Sequence, residues 1–270
     1  MNEHELILMS VCDCRRSDLY VDPQPLTPKQ QQLVQTACQR RQAGEPLQYI
    51  LGRTDFMGLS LAVDERVFIP RPETELLVEA ALDRLRLKDR IFVNILDLGS
   101  GSGNIAVSLA YFFPEAEVTA VDLDRSALNV AAFNARQHGL DERIFFVHSA
   151  AQEFLETSFR QGRKFDMIIS NPPYIAQDQI GALPLEVQKE PVVALDGGKD
   201  GLEIIRCIIS QAGSVITAGG WLGMEIGDGQ AASVERLLRQ QRIFQRISFI
   251  KDYCQTERIV LAQTKGSNQE

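Results

Sequence analysis

The chain lacks most of what a secreted, metal-bound or membrane protein requires. Its five cysteines, Cys12, Cys14, Cys38, Cys207 and Cys254, are odd in number and scattered. That argues against a disulfide framework or a zinc ribbon and reads as reduced thiols of a cytoplasmic protein. Cys12-x-Cys14 has no partner pair, and the three histidines, His4, His138 and His148, stand apart from every motif. No metal site and no dedicated general base is therefore expected. No stretch approaches the ~18 apolar residues of a membrane span, and the acidic start Met1-Asn2-Glu3-His4-Glu5 is not a secretory signal. Positive charge is also scarce. The 28 Lys+Arg against 36 Asp+Glu leave a net charge of −8, which opposes a broad basic footprint for duplex nucleic acid. No Gly-x-x-x-x-Gly-Lys-Ser/Thr occurs, so a P-loop is excluded.

What is present is ample apolar material. Of 270 residues 44% are hydrophobic and 24% charged, enough for one large or two modest domains of about 100–200 residues each. Residues 1–50 are rich in Gln and Arg, with helical patterns over Glu3 to Cys14 and, behind an N-cap at Thr27, over Pro28 to Ala43. The pair has little apolar surface and is expected to lean on the rest of the chain. Asp22-Pro23-Gln24-Pro25 reads as a loop. Residues 54–69 read as a β-hairpin turning at Met57-Gly58, and Thr74 to Leu87 as an amphipathic helix.

From Ile91 onward, strands alternate with helices. Strands are expected at Ile91–Leu98, Val118–Val121, Ile144–Val147, Phe165–Ser170, Trp221–Ile226, Ile247–Ile250 and Ile259–Ala262. Helices are expected at Asn104–Phe113, Ser126–His138, Leu202–Ile216 and Ala231–Gln240. The alternation predicts an open, mostly parallel α/β sheet.

Two sites in this frame carry chemistry. Gly99-Ser100-Gly101-Ser102-Gly103 joins the first strand of the sheet to its first helix. A backbone without Cβ atoms there can turn sharply and admit a ligand, at the crevice where such sheets bind them. Asp122 ends the next strand, 23 residues after Gly99, where a carboxylate can accept from both hydroxyls of a ribose. Asp124 reads as the cap of the following helix. Loop and acid together imply an adenosine-containing ligand, a dinucleotide or S-adenosylmethionine. The second site is Asn171-Pro172-Pro173-Tyr174 at the end of a buried strand. The prolines fix the backbone. The Asn171 side-chain oxygen and the Pro172 carbonyl form an acceptor pair suited to both hydrogens of an –NH₂ group, and Tyr174 can lie flat on a planar substrate.

Asn171-Pro172-Pro173-Tyr174 behind the glycine loop resembles the S-adenosylmethionine-dependent methyltransferases of planar nitrogen. Three further segments resemble the HemK-type peptide chain release factor glutamine N5-methyltransferases. They are Gly44-Glu45-Pro46-Leu47-Gln48-Tyr49-Ile50-Leu51-Gly52, Ile69-Pro70-Arg71-Pro72-Glu73-Thr74-Glu75, and Glu190-Pro191 with Gly197-Gly198-Lys199-Asp200-Gly201-Leu202.

The resemblance implies a class I, Rossmann-like methyltransferase domain over residues 71–264, its seven-stranded, mostly parallel sheet closed by an antiparallel last strand. A helical substrate-binding domain over 1–52, a β-hairpin linker over 53–70 and a disordered tail over 265–270 complete the expected organisation. The region before Pro28 is shorter than the family pattern, as if an initial helix were missing. S-adenosylmethionine is the implied cofactor, held by Gly99, Ser100, Gly101, Ser102, Gly103, Asp122, Ala151 and Asn171. Asn171, Pro172 and Tyr174 are the implied catalytic residues, with Pro173 beside them on the substrate. Arg71, Pro72 and Thr74 are expected to contact cofactor or brace the hinge. Ala150 stands where an acidic residue often holds the adenine amino group, so backbone and apolar contacts are expected to replace it.

For the Pro72 helix, local signals suggest Thr74 as its cap. Glu190 is read either as ordering a loop over the site or as a solvated acid. A release factor is the implied partner of a monomeric protein that holds no stable nucleic acid and no membrane. An adenine-amino DNA or RNA methyltransferase is the alternative, and a non-catalytic adenosylmethionine-binding module the outsider.

Overall fold

The computed structural model describes residues 2–21, 24–87 and 92–266. The expected Asp22-Pro23 turn, a strand start at Ile91 and the end of the expected tail fall outside them. The N-terminal part comprises α1 (Glu3–Cys12), the short α2 (Asp18–Val21), α3 (Pro28–Gln42) and α4 (Leu47–Leu51). At the start of α3 the Thr27 side chain accepts from Gln30 N–H while the Gln30 side chain accepts from Thr27 N–H, and Pro28 takes the first helical position. The core of this part is small: Ile7, Val34 and Ala37 are its buried apolar residues. It leans on the remainder, as expected, with Arg41 bridging Glu186 at 2.7 Å and Tyr49 joining a second cluster with Val67, Ile69 and Val130.

The hairpin is shorter than the sequence pattern implies. It consists of β1 (Arg53–Phe56) and β2 (Leu59–Ala62), turning through Met57 and Gly58 with positive φ at both. Val67 and Ile69 lie beyond it in irregular chain, buried at 1% exposure each. Burial, not strand pairing, explains their alternation.

After α5 (Pro72–Arg86) come β3 (Val93–Leu98), α6 (Asn104–Phe112), β4 (Ala116–Asp122), α7 (Arg125–Gln137), β5 (Ile144–His148), α8 (Ala151–Arg160) and β6 (Phe165–Ser170). Short 3₁₀ turns fill 177–194, followed by α9 (Glu203–Val215), β7 (Ile216–Glu225), α10 (Ala231–Gln240), β8 (Phe244–Lys251) and β9 (Glu257–Thr264). The sheet runs β5-β4-β3-β6-β7-β9-β8, parallel from β5 to β7, with β9 antiparallel to both its neighbours. This is the expected seven-stranded class I arrangement. One core lies under α5, α6 and the hairpin, the other under α8, α9 and α10, so the sheet is covered on both faces. Helix α8 is absent from the sequence-based expectation. Its N-cap, Ala150, makes no side-chain hydrogen bond, so the usual start signal is missing. β7 begins five residues before Trp221 for a related reason: Thr217 and Gly219-Gly220 mask its periodicity.

Strand order reverses between β3 and β6, and in open α/β sheets that point opens a crevice beyond the strands' carboxyl ends. Leu98 pairs with Ser170 there, so the glycine loop and Asn171 leave the sheet side by side.

Candidate active site

A cavity of about 750 Å³ occupies this crevice. Gly99, Ser100, Gly101, Ser102, Asp122, Ala150, Ala151, Asn171, Pro172, Pro173 and Tyr174 all line it. Gly103 does not. A Cβ there would lie 2.9 Å from the Cβ of Ala131, and its φ is +79°, so this glycine serves the close approach of α7 to the loop. Asn134 of α7 reinforces that approach, donating to Ser102 O at 2.8 Å and Ala62 O at 3.0 Å while accepting from Ala62 N–H. The hairpin is thereby tied to the glycine loop.

The Asp122 carboxylate accepts from Gly101 N–H and from Asp124 N–H, both at 2.8 Å. Burial raises its pKa, and the two N–H groups oppose the rise. Asp124 caps α7 by accepting from Ser126 N–H at 2.7 Å, as its position implies. Beneath the loop Asp97 is fully buried, and neither carboxylate oxygen has a hydrogen-bond partner among the described residues. Desolvation pushes its pKa up to about 7.

Asn171 Nδ2 donates to Thr74 Oγ1 at 3.1 Å, and Tyr174 Oη donates to Glu225 at 3.0 Å. Thr74 is not the helix cap. The cap is Arg71, without a side-chain bond, while Thr74 is fully buried and donates to Glu225 at 2.6 Å. Arg71, Pro72 and Thr74 all lie off the cavity wall. Arg71 pairs with Glu190 and stacks over Phe68, 4.8 Å from its centroid. Pro72 opens α5. Glu190 is not a solvated acid: it is 3% exposed and also accepts from Ile69 N–H at 2.9 Å. It holds the 177–196 segment against the hinge.

Sequence reasoning did not anticipate Phe68, Leu123, Val192 and Val193 in the wall. Phe68 and Leu123 stand in irregular chain and Val192 and Val193 in a single 3₁₀ turn, where no periodicity marks a direction. The sequence marks Glu225-Ile226-Gly227 as a strand end near the pocket but not the bond to Thr74, which is 151 residues away. Among the described residues no helix is long and apolar enough to cross a membrane.

Residues 2–52 match the family model "PrmC N-terminal domain", and residues 73–186 match "Methyltransferase small domain". The chain is 42% identical to the release factor glutamine methyltransferase of Chlorobaculum tepidum over 261 residues, covering 94% of this chain and 87% of that one. It is 38% identical to the enzyme of the same name from Moorella thermoacetica, covering 96% and 90%. The hMettl16 catalytic domain, solved with a MAT2A 3′UTR hairpin, has a TM-score of 0.61 at 18% identity, over 90% of this chain and 82% of that one. A methyltransferase from Pyrococcus furiosus has a TM-score of 0.53 at 17% identity, over 89% and 100%. These two structures share the fold.

Proposed function

The chain belongs to the release factor glutamine methyltransferase family, and on that premise we propose that it methylates the side-chain amide nitrogen (N5) of the glutamine in the Gly-Gly-Gln loop of peptide chain release factors. S-adenosylmethionine supplies the electrophilic methyl group. The observation that carries the reading is the pairing of Leu98 with Ser170, which sets the glycine-rich loop and the Asn-Pro-Pro-Tyr segment on one cavity.

The residues fit the cofactor. Gly99 to Ser102 leave the cavity wall free of bulk, Asp122 offers carboxylate oxygens toward a ribose, and Leu123 and Ala151 offer apolar surface for a base. With Ala150 unable to bond an amino group, the uncapped first-turn N–H groups of α8 are the polar contacts available there.

An amide nitrogen is a poor nucleophile, since its lone pair is delocalised into the carbonyl. The work of the chain is therefore largely positioning. Asn171 Oδ1 and the Pro172 carbonyl accept the two N–H groups and turn the nitrogen toward the glycine loop, with Tyr174 and Pro173 flanking the amide plane. Both acceptors bind more strongly as the nitrogen gains positive charge, which favours the transition state over the ground state. The proton leaves to water afterwards. A release-factor substrate together with five free cysteines supports a cytoplasmic enzyme.

Transfer of label from S-adenosylmethionine to a purified release factor tests this reading, run beside a Gln→Ala loop variant and a DNA control. Label confined to the wild-type factor is expected. Label on DNA would instead make the enzyme an adenine-amino methyltransferase.

A further inference from the structure

Two side chains, Thr74 and Tyr174, donate to one buried carboxylate, and a third, Asn171, is linked to it through Thr74. Glu225 ends β7 at 1% exposure. Its strand runs beside β6 with Met224 opposite Ser170, so Glu225 and Asn171 leave adjacent strands at the same level. Thr74 of α5 sits between them. Its hydroxyl donates to Glu225 Oε2 at 2.6 Å and accepts from Asn171 Nδ2 at 3.1 Å, while Tyr174 donates to Glu225 Oε1 at 3.0 Å.

The direction of this chain follows from proton counting. An ionised carboxylate only accepts, and a threonine hydroxyl has one proton to give. With that proton committed to Glu225, Thr74 can only accept from Asn171. The amide must then present its NH₂ to Thr74, which leaves Oδ1 facing the cavity. We infer that Glu225 is a positioning residue for methyl transfer: acting through the Thr74 hydroxyl, its carboxylate decides which end of the Asn171 amide meets the substrate. The inference rests on the proposed amide substrate, because only an –NH₂ group requires an acceptor at that point.

Protonation of Glu225 reverses the chain. Its O–H donates to Thr74, the Thr74 hydroxyl donates in turn to Asn171 Oδ1 once the amide has turned over, and the Asn171 NH₂ then faces the cavity against the substrate's own N–H groups. The groups facing Glu225 are Thr74 and Glu73 from α5, Tyr174 from the segment after β6, and Arg258 from β9. Burial raises its pKa, the Thr74 and Tyr174 hydroxyls and Arg258 lower it, and Glu73 adds to the rise.

The test is the pH profile of kcat for release-factor methylation in the wild type, Glu225→Gln, Thr74→Val and Thr74→Ser, with S-adenosylmethionine binding measured by calorimetry. Glu225→Gln and Thr74→Val are expected to lower kcat by about 100-fold, the scale of a misplaced reacting group, without weakening cofactor binding. Thr74→Ser keeps the hydroxyl and should keep the rate. The fall of kcat on the acid side should be present in the wild type and absent from Thr74→Val. A folded Thr74→Val enzyme working at the wild-type rate, or retaining that acid fall, overturns the positioning role alone. Failure of the wild type to label the release factor overturns the substrate reading, and this inference with it.

Discussion

The carbonyl oxygen of Asn171 lies 4.0 Å from the point where a Cβ on Gly99 would stand. The two residues are 72 apart in sequence, yet they form the floor of one cavity because Leu98 and Ser170 pair in the sheet. The glycine loop proposed to hold the methyl donor and the segment proposed to hold its acceptor thus leave the sheet side by side.

Asn171→Ala should remove an acceptor that matters most in the transition state. We expect kcat to fall by about 10²–10³-fold with cofactor binding largely intact. Single-turnover transfer and calorimetric titration of the same preparation check the two halves separately.

Asp122→Asn should act on the cofactor instead. The amide retains one accepting oxygen where the carboxylate now takes the Gly101 and Asp124 N–H groups. A loss of about 1–3 kcal/mol is expected, read as a weaker S-adenosylmethionine dissociation constant with kcat at saturation little changed.

Gly201→Ala should disturb the substrate clamp from behind. A Cβ there would come within 2.3 Å of the Tyr174 carbonyl oxygen, at a φ of +71°. Gly219, at φ +70°, has nothing within 4 Å, so alanine there meets only the backbone cost. Denaturant melts should give a loss near 1 kcal/mol for Gly219→Ala and a clearly larger one for Gly201→Ala, and only the latter should lower kcat.

Asp97 should make the stability of the cofactor-free protein depend on pH. Its folded pKa, pushed up to about 7 by burial, lies above the ordinary aspartate value of 3.8, so the folded state holds the proton more tightly. The stabilisation is present in full below the unfolded pKa and is lost as pH rises toward 7. It amounts to something on the order of 4 kcal/mol. Asp97→Asn should flatten the melting temperature between pH 4 and pH 7, measured by calorimetry without cofactor.

Local signals carried much of the fold. Runs such as Phe165–Ser170 could only be strands covered on both faces, and β6 has those bounds. Thr27 with Pro28 announced α3, and Asp124 announced α7. Where the local signal was weak the reading fell short. Helix α8 begins without a capping side chain, and Val67 and Ile69 alternate because they are buried in irregular chain.

The candidate site divides in the same way. Glycines that turn a strand into a helix, an acid at a strand end and two prolines behind an asparagine are short-range patterns, each enforced by backbone sterics. The sequence by itself therefore determined the sheet, the glycine turn after its first strand and the Asn-Pro-Pro-Tyr turn proposed to hold the substrate amide. Only the tertiary structure decided that Thr74 serves Glu225 instead of capping its helix, that Glu190 is buried against Arg71, and that Gly103 makes room for Ala131. Those pairings join residues 28 to 151 apart. A buried hydrogen bond depends on which strands and helices meet, and no periodicity along the chain encodes that.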